Sequence, residues 1–245
     1  MSGHSHAANI AAKKAKTDAA KGKIFTKVGR EIAVAAKSNP DPDTNSKLAD
    51  AIAKAKAVNM PNENIKRCIA KASGELASDN YEELTYEGYG PAGSAVIIKT
   101  LTDNKNRTVD YVRTAMRKHG GSLGNAGCVS FTFTTCGVIV IERTPDLEED
   151  TIMEYALDAG ADDFIAEDDA FIVHTAVGAF SGVRKYLEEK GLNFFSAQIE
   201  MLPQNKITLE GDELAKFNRL VDALEDLDDV QNVYHNVDLP DDEEE

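Results

Sequence analysis

Between residues 136 and 202 the sequence changes its apolar pattern in a fixed order: strand, helix, strand, strand, helix, strand. "GVIVIER" is a β-branched run, and "EEDTIMEYALDAG" has the spacing of an amphipathic helix. "DDFIAEDDAFIVHT" reads as a hairpin around an acidic turn, "FSGVRKYLEEKG" as a second helix and "SAQIEMLPQ" as a closing strand. That is the split βαβ order of a ferredoxin-like unit. It constrains the fold strongly because each flank carries half of another unit. Residues 94–133 read β-α-β through "SAVIIKTLT", "NKNRTVDYVRTAMRKHGG" and "CVSFTFT". Residues 205–237 read β-α-β through "NKITLE", "GDELAKFNRLVDALEDLDD" and "VQNVYHNV". Strand backbone groups need partners, so the two halves are expected to meet in one sheet, with the central unit inserted between them.

The first 75 residues have a different texture. "GKIFTKVGREIAVAAK" repeats Ile24, Val28 and Ile32 at four-residue spacing, with Lys23, Lys27 and Arg30 on another stripe. "SKLADAIAKAKAVN" places Leu48, Ile52, Ala55 and Val58 on one face. "MPNENIKRCIAKASG" has Pro61 at a first helical turn and Gly74 just past an end. The stretch before them, "MSGHSHAANIAAKKAK", lacks apolar bulk and reads as an arm, mobile until it meets a partner. The expected fold class is therefore α+β: an N-terminal helical domain followed by two ferredoxin-like α+β domains, one inserted in the other. The boundaries read as 1–78 for the basic helical domain, 79–134 plus 205–240 for the split domain, 135–204 for the inserted one, and 241–245 for an acidic tail.

Charge divides the chain along the same line. Residues 1–75 carry 14 Lys+Arg against 7 Asp+Glu, and the remaining 170 carry 13 against 35. A head of +7 is joined to a body of −22, giving the net −15. In the head, Lys13, Lys14, Lys16, Lys21, Lys23, Lys27 and Arg30 face the single acid Asp18. A second cluster, Lys105, Arg107, Arg113, Arg117 and Lys118, lies in and beside the helix of the split domain. Cations on a helix face follow a phosphate backbone and release its counterions. Few aromatics accompany them in sequence, so backbone and shape recognition is the expected mode. The competing account is a solvated lysine face.

Other motifs have plainer readings. "GYGPAG" matches G-x-G-x-x-G but precedes a strand, whereas a dinucleotide site needs the glycines to open a helix, so a turn is expected. "HGGSLGNAG" reads as a helix cap plus loop, its glycines open to close backbone approach. "GHSH" offers two metal ligands where a zinc site wants three or four, and His119 suits the end of a helix dipole. No nucleophile elbow, P-loop or H-E-x-x-H pattern occurs. Cys68, Cys128 and Cys136 make no C-x-x-C pair, which fits a reducing, cytoplasmic setting. No apolar run is long enough to span a bilayer. The expectation is no enzymatic activity, no cofactor, no metal, no small-molecule substrate and no membrane partner.

Eight segments together resemble the YebC/PmpR family: "GHSHAANI", "KAKTDAAKGKIFTKVGREI", "PNENIKRCI", "YEGYGPAG", "TDNKNRTVDYVR", "KHGGSLG", "MLPQN" and "DLDDVQNVYHN", in order from residue 2 to about residue 238. That family includes the mitochondrial translational activator of cytochrome c oxidase subunit I. The resemblance implies three domains, the last inserted into the middle one. It also implies a regulator of gene expression: members are classed as probable transcriptional regulators that bind DNA, and some are understood as ribosome-associated factors that relieve stalling on proline-rich stretches. The partner expected is thus nucleic acid, DNA or ribosomal RNA, with the ribosome as the larger context. The chain departs from the family pattern at Ala7, where a Trp is common, and at Ala11 and Ala12, where basic residues are common.

Overall fold

The computed structural model describes residues 21–73 and 80–239. The expected mobile arm lies outside the described residues. Helices α1 (Lys21–Ser38), α2 (Ser46–Ala57) and α3 (Asn62–Ser73) form the head. Val28 and Ile32 of α1, Leu48 and Ala55 of α2, and Met60 and Ile65 beside or in α3 share one buried cluster. Asn45 joins α1 to α2. Its side-chain oxygen accepts from Leu48 N at 3.1 Å, capping α2, while its amide donates to Ala35 O at 2.8 Å and Asn39 O at 2.6 Å.

The body is α+β, with two four-stranded sheets. Strands β1 (Glu82–Tyr89), β2 (Ala95–Thr102), β3 (Ser122–Leu123) and β9 (Val230–His235) form one sheet in the order β3-β1-β2-β9, antiparallel throughout. Helices α4 (Lys105–Lys118) and α7 (Gly211–Glu225) cover one face, burying Val112, Met116, Phe217 and Leu220 against Val96 and Ile98. The chain then leaves this unit, builds a second sheet and returns. Strands β4 (Phe133–Glu142), β5 (Asp163–Ala166), β6 (Ala170–Thr175) and β7 (Phe194–Pro203) pair antiparallel in the order β5-β6-β4-β7. With α5 (Glu149–Asp158) and α6 (Phe180–Glu189) on one face, this is the ferredoxin-like arrangement. A short parallel pair, β8 (Ile207–Thr208) with β10 (Val237–Asp238), ties the return segment to the C-terminal stretch.

The strands of the split unit differ from the expected ones. "CVSFTFT" is not a strand of that sheet: Ser130–Thr132 is a 3-10 turn, and Phe133 opens a single ten-residue β4 that absorbs two expected strands. "NKITLE" contributes two residues and pairs only with β10. The places in the sheet go to β1, which carries Glu82, Glu83 and Glu87 and is not among the expected strands, and to two-residue β3. Glutamate sits in β1 because the loop packed over that face supplies backbone donors for Glu87, as described below. "GYGPAG" divides accordingly: Gly88 and Tyr89 finish β1, and Gly90–Gly93 turns into β2, closed by Gly90 N donating to Ser94 O at 2.7 Å.

The head docks on both body units. Asp50 of α2 accepts from Ser181 Oγ at 2.5 Å and from Arg184 Nε at 3.0 Å, both on α6. Arg184 is buried and also pairs with Glu188 at 2.8 Å. Tyr234 Oη on β9 donates to Ile199 O on β7 at 3.2 Å, linking the two sheets, and burial pushes its phenol well up.

Gly137 gives a test of the inserted unit. It pairs with Thr175 of β6 on one side and Ile199 of β7 on the other. A Cβ there would lie 2.6 Å from Phe180 Cδ2 and 2.9 Å from Phe180 Cβ. Gly137→Ala should therefore cost about 1–3 kcal/mol through overpacking, read as a lower urea midpoint with an unchanged slope.

Candidate nucleic-acid interface

Helix α7 ends at Glu225, and the chain turns through Asp226, Leu227, Asp228 and Asp229 into β9. Residues 23, 27 and 30 are spaced i, i+4, i+7, which puts three cations of α1 on one stripe. That stripe meets the acidic turn. Lys23 Nζ lies 2.9 Å from Asp226 Oδ1, and Lys27 Nζ donates to Glu225 O at 2.6 Å. Arg30 Nη1 donates to Asp228 O at 2.7 Å and to Asp229 Oδ1 at 3.0 Å. The carbonyl of Glu225 belongs to the last turn of a helix, where unsatisfied carbonyls and the helix dipole favour a cation.

Asp229 is the centre of the contact. From the other side Arg107 of α4 donates to Asp229 Oδ2 through Nη2 at 2.8 Å and Nε at 3.3 Å, and reaches Asp103 at 2.7 Å. Thr108 Oγ1 donates to the same Oδ2 at 2.8 Å, and Thr102 Oγ1 lies 3.3 Å from it. The Asp229 side chain is only 7% exposed. Burial works to raise its pKa, but the hydrogen bonds from Arg107 and Thr108 and the charges of Arg107 and Arg30 outweigh it and hold the carboxyl below its ordinary range. Burial also lowers the Lys27 ammonium, against the opposing pull of Glu225 and Asp228. The Lys23–Asp226 pair is solvated on both sides and contributes little.

The second basic cluster is less enclosed. Lys105 pairs with Glu82 at 2.6 Å and Arg113 with Asp110 at 3.2 Å, both at the surface. Arg117 and Lys118 are exposed in the last turn of α4, and no acidic partner for either occurs among the described residues. Thus Lys23, Lys27, Arg30 and Arg107 converge on one acidic turn, while Arg113, Arg117 and Lys118 face solvent. Lys13, Lys14 and Lys16 lie outside the described residues, and Lys21 is described only as the first residue of α1. Among the described residues no group of three His, Cys, Asp or Glu side chains is placed to hold a metal ion, and no helix is long and apolar enough to cross a membrane.

Two features beside the cations escape sequence reading. Glu87 on β1 is buried with no basic partner among the described residues. It accepts instead from Gly127 N at 2.8 Å, Val129 N at 2.9 Å and Ser130 N at 2.8 Å, pinning the glycine-rich loop to the sheet. Burial acts to raise its pKa, and these three amides bring it below its ordinary value. The spacing of "HGGSLGNAG" suits the loop: Gly120 follows α4 at φ 80°, and a Cβ on Gly121 would lie 2.9 Å from Tyr89 O. The other feature is Tyr111, which projects from α4 with 55% of its surface exposed.

Two family models cover this architecture between them. Residues 5–75 match the TACO1/YebC protein N-terminal domain, and residues 81–237 match the TACO1/YebC second and third domain. The chain belongs to the TACO1/YebC family. It is similar to a protein of Acetivibrio thermocellus named "Probable transcriptional regulatory protein", 58% identical over 96% of this chain and 98% of that one. A protein of Hathewaya histolytica with a similar name is 54% identical over 98% of each. The crystal structure of a conserved hypothetical protein from Aquifex aeolicus matches with TM-score 0.81 and 41% identity, covering 92% of this chain and 93% of that one.

In this TACO1/YebC chain the Asp229 cluster sets an acid sensitivity. A carboxyl whose folded pKa lies below its unfolded value of about 3.9 adds stability above that value and loses it as pH falls through the folded one. Asp229→Asn should cost about 2–3 kcal/mol near neutral pH, short of the roughly 3–5 kcal/mol of a fully buried pair because Arg107 stays partly solvated. Urea unfolding across pH should show this gap between parent and variant narrowing below about pH 4. A gap independent of pH would contradict the assignment.

Proposed function

We propose that the chain is a non-enzymatic, nucleic-acid-binding regulator of gene expression. The observation that carries this reading is the exposed pair Arg117 and Lys118 at the end of α4, without an acidic partner among the described residues, in a chain of net charge −15. An acidic surface repels phosphate, so a contiguous cationic patch on it orients any nucleic acid that approaches. The names of the relatives support a regulatory role on the same side of cell chemistry.

In the first form of the proposal the target is DNA, met by the basic N-terminal helices: Lys13, Lys14, Lys16 and Lys21, then the stripe of Lys23, Lys27 and Arg30. Phosphates reaching that stripe would compete with the acidic turn. Lys23 exchanges most readily, being solvated, whereas Arg30 and Lys27 are embedded. In the second form the target is ribosomal RNA, and the protein is a ribosome-associated translation factor relieving stalls on proline-rich stretches. What favours it is the composition of the basic N-terminal stretch "AAKKAKTDAAKGKIF", which offers mostly Ala and Lys, suited to phosphates and poor in the Arg, Asn and Gln that read base edges in a major groove.

Neutralising Arg113, Arg117 and Lys118 to Gln should weaken binding to all sequences alike. Each lost phosphate contact should reduce the slope of log affinity against log salt by about 0.7 to 0.9. Parallel measurements on duplex DNA and on purified ribosomes separate the two forms: the target supported is the one still bound tightly at physiological salt, where non-specific phosphate contacts have weakened. Unchanged affinity and slope on both would make the patch a solvated helix face.

A further inference from the structure

The exposed face of α4 carries an aromatic ring among its cations, which the sequence pattern alone does not reveal. Val112, Ala115 and Met116 point into the core, and so does Thr108. The rest of the circumference presents Asp110, Tyr111, Arg113, Thr114, Arg117 and Lys118, all exposed, with Tyr111 on one flank and Arg113 on the other. Tyr111 and Lys118 are seven residues apart, two helical turns, so they lie on one stripe about 10 Å apart along the axis. The helix beneath is held firmly. Asn104 caps its start by accepting from Arg107 N at 3.1 Å, Arg107 and Thr108 anchor to Asp229, and Gly120 closes its end. A solvent-facing tyrosine on a firmly held helix, with Lys118 two turns along its stripe and Arg117 next to Lys118 in the last turn, neither cation with an acidic partner among the described residues, suits an unpaired strand: a base stacks on the ring while neighbouring phosphates meet the charges.

We infer that α4 is a binding surface for single-stranded nucleic acid, with Tyr111 stacking a base and Arg117 and Lys118 holding the adjoining phosphates. The inference rests on the nucleic-acid reading above and narrows it to unpaired strands. Duplex phosphates can use the same cations, but a stacked helix has no free base face to offer Tyr111.

The chain has seven tyrosines and no tryptophan, so tyrosine emission is directly readable. The test uses the full chain, a short labelled single-stranded RNA homopolymer and a labelled duplex of equal length, followed by fluorescence anisotropy and by tyrosine quenching. Tyr111→Ala should lose about tenfold or more in affinity for the single strand and little for the duplex. Tyr111→Phe should keep the affinity but lose the quenched component of the emission. Arg117→Gln with Lys118→Gln should weaken both probes. If Tyr111→Ala binds the single strand as the parent does while the double variant is weakened, stacking is wrong and the phosphate reading stands. If neither variant changes anything, both readings fail at this face. If Tyr111→Ala weakens duplex and single strand equally, the preference for unpaired bases is overturned.

Discussion

The Asp229 carboxylate is where the head and the split unit of the chain are made to agree. Its two oxygens receive Arg30 from the head and Arg107, Thr108 and Thr102 from the split unit, while its own carbonyl accepts Leu101 N at 2.8 Å, extending the β2–β9 edge. A buried carboxylate with several charge-assisted donors is costly to leave half-satisfied. Placing one cation donor on the head makes head docking part of satisfying the body. Ser181 and Arg184 repeat the device around Asp50, so carboxylates that are buried or half-buried tie the head to both body units.

This arrangement changes the meaning of the charge asymmetry. A +7 head on a −22 body looks like one surface for phosphate and another for repelling it. Part of that contrast is consumed inside the molecule, because the α1 stripe lies on the acidic turn at the end of α7. Electrostatic complementarity that steers two molecules together also registers two parts of one chain. The cations that remain open to a partner include the end of α4, on the body.

Glu87 shows how the split sheet tolerates an acidic strand. Three backbone amides of one loop converge on its carboxylate, so no side-chain cation is needed to stabilise the buried charge. The loop is thereby fixed across β1, with Val129 and Phe133 packed on that face against Ala95 and Ile97. An aliphatic residue at 87 would leave those three amides without their acceptor.

The architecture was legible in the sequence where periodicity and length carry it. The βαββαβ order of 136–202, the α4 and α7 patterns and the three head helices are local, since each depends on residues three, four or two positions apart along the chain. What the sequence by itself determined was therefore the helices and the strands of the inserted unit, the insertion of one α+β unit in another, and the separation of basic head from acidic body. Tertiary structure alone decided the rest. It placed an acid-rich stretch in the sheet as β1, joined two expected strands into β4, and reduced "NKITLE" to a two-residue pairing. It also paired Lys23, Lys27 and Arg30 with groups about two hundred residues away, and turned Tyr111 outward among the α4 cations. The reason is physical: a charge looks the same in sequence whether water or a distant partner solvates it, and only the folded chain brings that partner within hydrogen-bond reach.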